Sequence, residues 1–353
     1  MIMIHKEENV VVTALASYGM SGSIFHAPLL HTHKGFQLKS ILQRNSDSAL
    51  ERYPYVTVAK SYEELLKDDE IELIVVNLPD NMHYGFTAKA LEAGKHVIVE
   101  KPFTTSTRDG KMLIELAVKK GCLLSVFQNR RWDSDFLTVQ KIINRKILGR
   151  LVEYESHFDR YRNYIQDSWK ENPDAETGTL YNLGSHLIDQ ALVLFGIPNA
   201  VYADVRILRT GGKVDDTFDL KLYYPEIKVT LKAGYLVREP GPRFQLHGTH
   251  GSYIKYGVDP QEEALKRGDS PAKTEWGIEP ESEWGSLNTE LEDIHFKGKV
   301  ETTAGSYLSF YSNIYDALRN NRELAVKPHE ALNVIQIIEA AYQSSRKREL
   351  VLI

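Results

Sequence analysis

The sequence predicts a two-domain protein: an α/β N-terminal Rossmann domain with a parallel, doubly wound sheet, then an α+β C-terminal domain with an open, mostly antiparallel sheet. Three observations support this prediction. Short apolar runs alternate with helical stretches from residue 10 to 127. A glycine-containing turn, S-Y-G-M-S-G at 17–22, follows the first apolar run. Beyond Phe127, polar and apolar residues alternate as in strands with one buried face. We therefore place the domains at 1–127 and 128–353.

The apolar runs define the elements of the first domain in order. Ser61 and Glu64 form a capping-box pattern that predicts a short helix between the second and third strands. Two further helices, over 84–93 and 107–120, each end at a glycine, which is a common helix stop. Buried strands are predicted at 10–16, 36–42, 71–78, 97–99 and 123–127.

The second domain has a different sequence pattern, with alternating strands and fewer continuous apolar runs. An amphipathic helix is expected up to about residue 148, and a second over 182–195. The stretch 260–300 is rich in Glu, Gly, Ser and Pro, and we expect a long surface excursion there. Two helices, over 307–320 and 329–345, complete the chain. Alternating strands are predicted at 152–159, 201–208, 217–224 and 227–236.

Composition excludes several function classes. The chain has 353 residues, 42% hydrophobic and 26% charged, as expected for a soluble globular protein. A net charge of −5 offers no basic face for nucleic acid or an anionic membrane. No apolar run approaches the roughly 20 residues of a membrane helix, and no signal-peptide core is present. Cys122 is the single cysteine, so neither an internal disulfide nor a cysteine-based zinc site is expected, and we predict no metal site. We expect a cytoplasmic protein.

The turn at 17–22 is a candidate dinucleotide site. Amides at the start of the following helix would meet a pyrophosphate, with Gly19 allowing close backbone approach and Gly22 allowing tight packing. Ser17 stands where the fingerprint has its first glycine. After the second strand, Arg44 replaces the acidic residue that would hold the ribose of NAD. A guanidinium suits a 2′-phosphate and points to NADP, although an exposed arginine opening a helix is the alternative reading.

Two polar loops follow predicted strands. The run H-V-I-V-E-K-P at 96–102 places Glu100 and Lys101 directly at a carboxyl strand end, where ligands bind in open α/β sheets. Pro102 biases Lys101 toward extended geometry, although a surface lysine capping a strand end has the same pattern. The loop at 79–83 ends in His83, which is a candidate proton donor but is more typical of a cofactor contact or a helix cap.

The helix predicted over 182–195 carries a second polar cluster. Asn182, His186 and Asp189 fall at i, i+4 and i+7, so on a regular helix they share one face. A histidine there could perform general acid–base chemistry near neutral pH. The alternative is that this polar line is simply the solvent face of the helix.

Together these stretches resemble the glucose–fructose oxidoreductase/inositol dehydrogenase (Gfo/Idh/MocA) family. The resemblance rests on the turn at 17–22, on A-L-E-A-G-K-H-V-I-V-E-K-P at 90–102, and on G-T-L-Y-N-L-G-S-H-L-I-D at 178–189. The Q-N-R-R-W-D run at 128–133 and S-H-F-D-R-Y-R at 156–162 are similar to the branch with NADP-linked scyllo-inositol dehydrogenases.

The resemblance implies an NADP-dependent oxidoreductase, with NAD as the alternative cofactor, acting on a secondary alcohol or carbonyl of a sugar or cyclitol. Lys101 would bond the reacting hydroxyl and assist its proton, and His186 matches the family's catalytic histidine. The family's acidic position four residues earlier is Asn182 here, and an amide cannot take a proton. Asp189 is the carboxylate that would compensate if it reached the ring.

The full set of predicted site residues follows from the motifs and the resemblance. Expected cofactor contacts are Tyr18, Gly19, Met20, Ser21, Gly22, Arg44, Leu78, Pro79, Asn81, His83, Glu100, Lys101 and Asn129. Expected substrate contacts are Lys101, Arg131, Trp132, Tyr161, Trp169, Asn182 and His186.

Other functions fit the same fold. A regulator that senses NADP or a sugar without turnover needs neither Lys101 nor His186, so their presence favours an enzyme. An enzyme acting on an aromatic diol or a tetrapyrrole would need an apolar pocket, against which the polar residues at 128–133 and 157–164 argue. The broad sheet expected of this family favours a homodimer or homotetramer.

Overall fold

A computed structural model describes residues 9–173 and 177–353. The N-terminal sheet has six parallel strands in the order β3-β2-β1-β4-β5-β6, as predicted for a dinucleotide-binding fold. Its strands are β1 (Val11–Leu15), β2 (Phe36–Leu42), β3 (Thr57–Ala59), β4 (Leu73–Val76), β5 (His96–Val99) and β6 (Leu124–Val126). The strand order reverses between β1 and β4, so a crevice opens at their carboxyl ends, where parallel sheets bind ligands.

Helices connect these strands and cover the sheet. All four residues of β4 are buried, which is why the sequence there is a continuous apolar run rather than an alternating one. The Ser61 side chain accepts the Glu64 backbone N–H at the start of its helix, confirming the capping prediction. The helices are α1 (Ala27–Thr32), α2 (Ala49–Arg52), α3 (Tyr62–Lys67), α4 (His83–Glu92) and α5 (Thr107–Lys120).

The second domain contains a nine-stranded sheet in the order β14-β13-β12-β11-β7-β10-β9-β8-β15. Only the β7–β10 pair is parallel among its described neighbours. This confirms the open, mostly antiparallel sheet. Its strands are β7 (Leu151–His157), β8 (Ala200–Arg206), β9 (Thr217–Tyr223), β10 (Lys228–Gly234), β11 (Phe244–Gly248), β12 (Gly251–Lys255), β13 (Gly285–Leu291), β14 (Ile294–Val300) and β15 (Val351–Leu352).

The prediction of a surface excursion at 260–300 is wrong. This stretch forms the helix α8 (Gln261–Lys266) and the antiparallel pair β13–β14 at one edge of the sheet. Leu287 is buried on β13, but no residue of β14 is buried. The Glu, Gly, Ser and Pro content of 260–300 indicated a loop, although I-H-F-K-G-K-V at 294–300 alternates apolar and polar residues as a strand does. The preceding strands β11 and β12 were not predicted either.

The C-terminal helices also pack against the first domain. The Ser125 hydroxyl in β6 donates to the Val326 carbonyl at 2.9 Å, and Arg319 bonds both oxygens of Glu72 at 2.8 Å. These helices are α6 (Ser134–Asn144), α7 (Ser185–Phe195), α9 (Leu308–Arg319) and α10 (Pro328–Lys347). The carboxyl edge of the parallel sheet thus faces residues of the second domain. No helix in the described ranges is both long and apolar enough to cross a membrane.

Candidate active site

The glycine turn is tied to the end of β4 by a side-chain amide. Asn77 Oδ1 accepts the Ser17 backbone N–H at 3.0 Å, and its Nδ2 donates to the Ser17 carbonyl at 2.9 Å. The Ser17 hydroxyl donates to the Asn77 carbonyl at 2.9 Å. Only this last bond needs the serine side chain, which a glycine at position 17 would lack. Asn77 was missed by the sequence analysis, although an asparagine at the end of an apolar strand was a usable signal.

The turn also has the close packing that a dinucleotide site requires. A Cβ on Gly22 would lie 2.4 Å from the Ser17 carbonyl oxygen and 2.7 Å from Asn77 Nδ2. A Cβ on Gly19 would find its nearest atom 3.8 Å away, so the space above this residue is open. The helical segment that follows, Ser21–His26, begins with N–H groups that lack intrahelical partners. The residues present therefore fit a bound pyrophosphate.

Gly22→Ala should disrupt this turn because its methyl group would displace Ser17 or Asn77. We expect the dissociation constant for NADP to rise at least tenfold, since about 1.4 kcal/mol of distortion suffices for that change. Isothermal titration calorimetry measures it. Gly85→Ala is the matched control because a Cβ there meets no atom within 4 Å. Unchanged NADP affinity in Gly22→Ala would show that the turn does not bind the cofactor.

The other predicted cofactor residues lie along the same edge. Arg44 is exposed after β2, beside β1, and its side chain has no hydrogen-bond or ion-pair partner among the described residues. Tyr18 packs edge-on against Tyr53, with ring centroids 6.4 Å apart. Asn129 is buried just after β6. The remaining predicted cofactor residues are partly or fully exposed around the crevice: Met20, Ser21, Leu78, Pro79 and Asn81.

His83 links two loops of the site. Its Nδ1 lies 2.7 Å from the Pro102 carbonyl and its Nε2 lies 2.9 Å from the Leu78 carbonyl. The ring is fully buried. Because both nitrogens face backbone carbonyls, the structure offers no free ring nitrogen for proton donation or a cofactor contact. His83 instead holds the loop after β4 against the loop that follows Lys101.

Glu100 is fixed beneath Lys101 by a buried histidine. Its Oε1 lies 3.0 Å from His26 Nε2, and its Oε2 accepts the Lys101 backbone N–H at 2.9 Å. His26 Nδ1 in turn lies 2.7 Å from the Tyr311 hydroxyl of α9. Burial raises the pKa of Glu100, but the His26 hydrogen bond and nearby positive charges outweigh it and lower the pKa. Glu100 is therefore a positioning residue for the Lys101 backbone.

Lys101 projects from the end of β5 to the second domain. Its Nζ donates to the Asn182 side-chain Oδ1 and to the Asn182 carbonyl, both at 2.9 Å. Burial lowers the pKa of Lys101 to about 8, with the charge of Lys170 acting in the same direction and Glu100 and Asp80 opposing it. A lysine with this pKa exists in both protonation states near neutral pH.

His186 lies in the same region without a hydrogen-bond partner. Its side chain is buried, and Nδ1 meets no donor or acceptor among the described residues. Burial lowers its pKa well below the usual value, and the charges of Lys101, Arg130, Arg243 and Arg160 lower it further. The imidazole is thus neutral at pH 7, and its buried Nδ1 has no hydrogen-bond partner among the described residues.

The helix predicted over 182–195 is not regular from its first residue. Leu180–Gly184 is a π turn, and the regular helix starts only at Ser185. A π turn has more residues per turn than an α-helix, so it changes the direction of Asn182 relative to His186. Asn182 bonds Lys101, not the imidazole.

Asp189 does not compensate for the missing acid. Its carboxylate forms a bidentate ion pair with Arg131, at 2.8 Å to Nε and 2.7 Å to Nη2. Arg131 also donates to the Ala325 carbonyl and to Glu330. The structure therefore does not bring Arg131 to the candidate substrate site, because its donors bind other parts of the protein. This contact joins α7 to the start of α10.

Three aromatic residues were expected at the substrate. Trp132 packs edge-on against Phe310, with ring centroids 5.8 Å apart, and is partly buried. Tyr161 and Trp169 are exposed. Arg238 stacks 4.2 Å from the Tyr161 ring centroid, and Lys170 lies 5.7 Å from that of Trp169. Tyr161 and Trp169 are therefore the more exposed of the three.

The same chain matches family models over both domains. Residues 13–128 match the model for the Gfo/Idh/MocA oxidoreductase family's NAD-binding Rossmann fold, and residues 140–353 match the family's C-terminal alpha/beta domain. The chain belongs to the Gfo/Idh/MocA oxidoreductase family. It is therefore an oxidoreductase, as the resemblance implied.

Similar proteins support this membership over the whole length. The chain is 39% identical to the Bacillus subtilis scyllo-inositol 2-dehydrogenase (NADP(+)) IolW, covering 99% of this chain and 97% of the relative. It is 38% identical to the Escherichia coli oxidoreductase YdgJ, whose function is uncharacterized, over 95% of this chain and 96% of the relative. A solved structure of a Bacteroides fragilis protein assigned as an oxidoreductase is 53% identical, with a TM-score of 0.91 over 98% of this chain and 100% of that one.

Proposed function

We propose that this member of the Gfo/Idh/MocA family is an NADP-dependent dehydrogenase that acts on a secondary alcohol, or the matching carbonyl, of a sugar or inositol-like cyclitol. The observation that carries the proposal is Lys101 with a pKa of about 8, at the carboxyl edge of the parallel sheet and bonded to Asn182. The NADP specificity and substrate of IolW agree with it.

The cofactor would lie across the crevice between β1 and β4. The turn at 17–22 would hold the pyrophosphate through backbone N–H groups, and Arg44 would hold the 2′-phosphate of the ribose. NADP, when bound, supplies the hydride acceptor for alcohol oxidation or, when reduced, the donor for carbonyl reduction. The protein's own contribution is to hold the substrate and to move one proton.

Lys101 is the proposed proton carrier. In alcohol oxidation, its neutral amine accepts the proton of the reacting hydroxyl; in carbonyl reduction, its ammonium donates that proton. Asn182 Oδ1 accepts a hydrogen bond from Nζ and so orients the amine. Neutral His186 would accept a hydrogen bond from, or donate one to, the same hydroxyl and fix its direction.

A panel of polyols and sugars tests the proposed function. The purified protein is incubated with each compound and with NADP or NAD, and the absorbance of the reduced nicotinamide is followed. We expect turnover of at least one polyol, faster with NADP. Tight NADP binding, measured by calorimetry, without turnover of any compound would favour the non-catalytic sensor instead.

Arg44→Ala tests the cofactor preference. Loss of one charge-assisted contact to the 2′-phosphate should cost about 1.5–3 kcal/mol, so NADP affinity should fall at least tenfold. NAD affinity should stay near that of the wild type, because NAD has no phosphate there. Calorimetric titration of both cofactors provides the comparison. Equal losses for the two cofactors would show that Arg44 does not bind the 2′-phosphate.

We also propose that the protein is a homodimer or homotetramer. The face of the nine-stranded sheet opposite the helices carries partly exposed side chains, among them Glu153, Gln245 and His247. Sedimentation equilibrium of the purified protein measures the assembly. A mass of 40.2 kDa, that of one chain, would contradict this proposal.

A further inference from the structure

Two arginines near the candidate active site lack the carboxylate partners that the other buried arginines have. Arg160 and Arg162 are partly buried, and neither guanidinium has a hydrogen-bond or ion-pair partner among the residues described. Arg160 Cζ lies 5.3 Å from the Phe158 ring centroid, and Arg162 Cζ lies 5.5 Å from that of Tyr235. Their stems are supported by aromatic rings, while their N–H donors are unused.

The surrounding arginines show the contrast. Arg130 bonds Asp133 and Glu262, and Arg209 bonds Asp216 and Glu171. A guanidinium removed from water without a counter-ion is costly, so buried arginines are normally paired in this way. Two unpaired guanidiniums side by side therefore indicate that a negative charge from outside the chain completes the group.

Both arginines adjoin the proposed reaction centre. Tyr235, under Arg162, places its hydroxyl 3.5 Å from Asn182 Nδ2, and Asn182 bonds Lys101. The charge of Arg160 contributes to the lowered pKa of His186, which places this guanidinium near the imidazole. Three contacts, through Tyr235 and Asn182, thus link Arg162 to Lys101, and Arg160 lies on the His186 side.

The carboxylate that acts most strongly on Arg160 is already paired. Glu262, whose charge acts on Arg160, bonds Arg130 at 2.5 Å and Lys266 at 2.8 Å. Asp80, near Lys101, is buried, and burial raises its pKa. Lys170, whose charge also reaches Lys101, adds a further cation without a described carboxylate partner. Arg160, Arg162 and Lys170 thus have no ion-pair partner among the described residues.

The donors match an oxyanion better than a neutral polyol. Arginine and lysine donate hydrogen bonds but accept none, whereas a neutral sugar hydroxyl needs both donors and acceptors around it. A guanidinium presents paired N–H groups that fit the two oxygens of a carboxylate or phosphate.

We propose that Arg160 and Arg162 form an anion subsite, and that the substrate is a sugar or cyclitol derivative carrying a carboxylate or a phosphate ester. This inference rests on the proposed function for the hydroxyl that reacts at Lys101. The anionic group would bind the two guanidiniums while the reacting hydroxyl meets Lys101 and His186. The anion fixes the orientation of the substrate and adds affinity that a neutral sugar lacks.

Binding to the NADP-saturated protein tests the subsite independently of turnover. Calorimetric titrations use three probes of one skeleton: glucose, glucuronate and glucose 6-phosphate. We expect at least one anionic probe to bind tenfold or more tightly than glucose, and the carboxylate and phosphate arms show which oxyanion fits. If neither anionic probe binds more tightly than glucose, the subsite proposal is wrong, whether or not any compound is turned over.

Variants assign that preference to residues. Arg160→Met and Arg162→Met keep an apolar stem on the ring below but remove the charge. Each should reduce the ratio of anionic to neutral affinity at least tenfold, whereas Arg145→Met, an exposed arginine at the end of α6, should leave it unchanged. An unchanged ratio in both site variants would contradict the proposal. If no probe is turned over but the anionic probes still bind more tightly than glucose, the proposed dehydrogenase activity is contradicted and the anion subsite is not.

Discussion

Replacing Lys101 with alanine is expected to lower kcat/KM for alcohol oxidation by roughly 10²-fold or more, the usual effect of removing a general base. The reacting hydroxyl loses its proton acceptor because no other amine bonds Asn182 at this position among the described residues. The melting temperature and the NADP dissociation constant should remain close to those of the wild type. Steady-state kinetics, differential scanning fluorimetry and calorimetry measure these three quantities.

The matched control is Lys119→Ala, which removes an exposed lysine of α5 that is distant in sequence from the site. It should leave kcat/KM unchanged. Lys101→Met adds a second comparison, since it retains most of the side-chain volume without the amine. Near-normal turnover in both Lys101 variants would show that Lys101 is not the proton carrier.

Asn182→Asp is expected to raise the pKa of Lys101 and to move the pH profile of oxidation upward. The new carboxylate would replace the amide oxygen that lies 2.9 Å from Nζ, and it favours the ammonium over the amine. An opposite charge at this distance shifts a pKa by about 1–3 units. Oxidation requires the amine, so kcat/KM at pH 7 should fall at least tenfold and recover at higher pH.

The pH dependence of kcat/KM provides the measurement. Asn144→Asp introduces the same charge at an exposed position at the end of α6 and should leave the profile unchanged. An unmoved profile in Asn182→Asp would contradict the assignment of Lys101 as the titrating group. Asn182→Asp also places a carboxylate at the family's acidic position, four residues before His186. If the upward shift of the pH profile is lost when His186→Ala is added, the shift belongs to the imidazole and not to Lys101.

The parallel sheet and its crevice could be predicted because local sequence determines them. The apolar run of β4 and the charged pair after β5 needed no long-range information: a fully buried strand must be apolar, and its end must meet the crevice. The predicted strand 36–42 and the predicted helix 107–120 have the observed bounds.

The orientation of the polar cluster on α7 could not be predicted in the same way. The spacing of Asn182 and His186 assumes a regular helix, and the π turn at Leu180–Gly184 breaks that assumption. The pairing of Arg131 with Asp189 joins residues 58 positions apart, so spacing along the chain carries no signal for it. Tertiary packing decides both.

The edge of the second sheet shows a signal that was missed. β14 has no buried residue, yet its sequence, I-H-F-K-G-K-V at 294–300, alternates apolar and polar residues as a strand does. Its seven residues are ordered by pairing with β13 through the backbone, which every residue type except proline can provide. The alternation at 294–300 was therefore a usable strand signal, which the Glu, Gly, Ser and Pro content of the whole stretch 260–300 obscured.

The pH dependence of kcat/KM in both directions, on one alcohol–carbonyl pair, tests the central claim most directly. If Lys101, with its pKa of about 8, carries the proton, oxidation should rise with pH through about 8 as the amine forms. Carbonyl reduction should fall through the same pH as the ammonium is lost. Limbs that run in the same direction for both reactions, or no limb near pH 8 in either, would contradict the assignment of Lys101 as the group that exchanges the substrate proton.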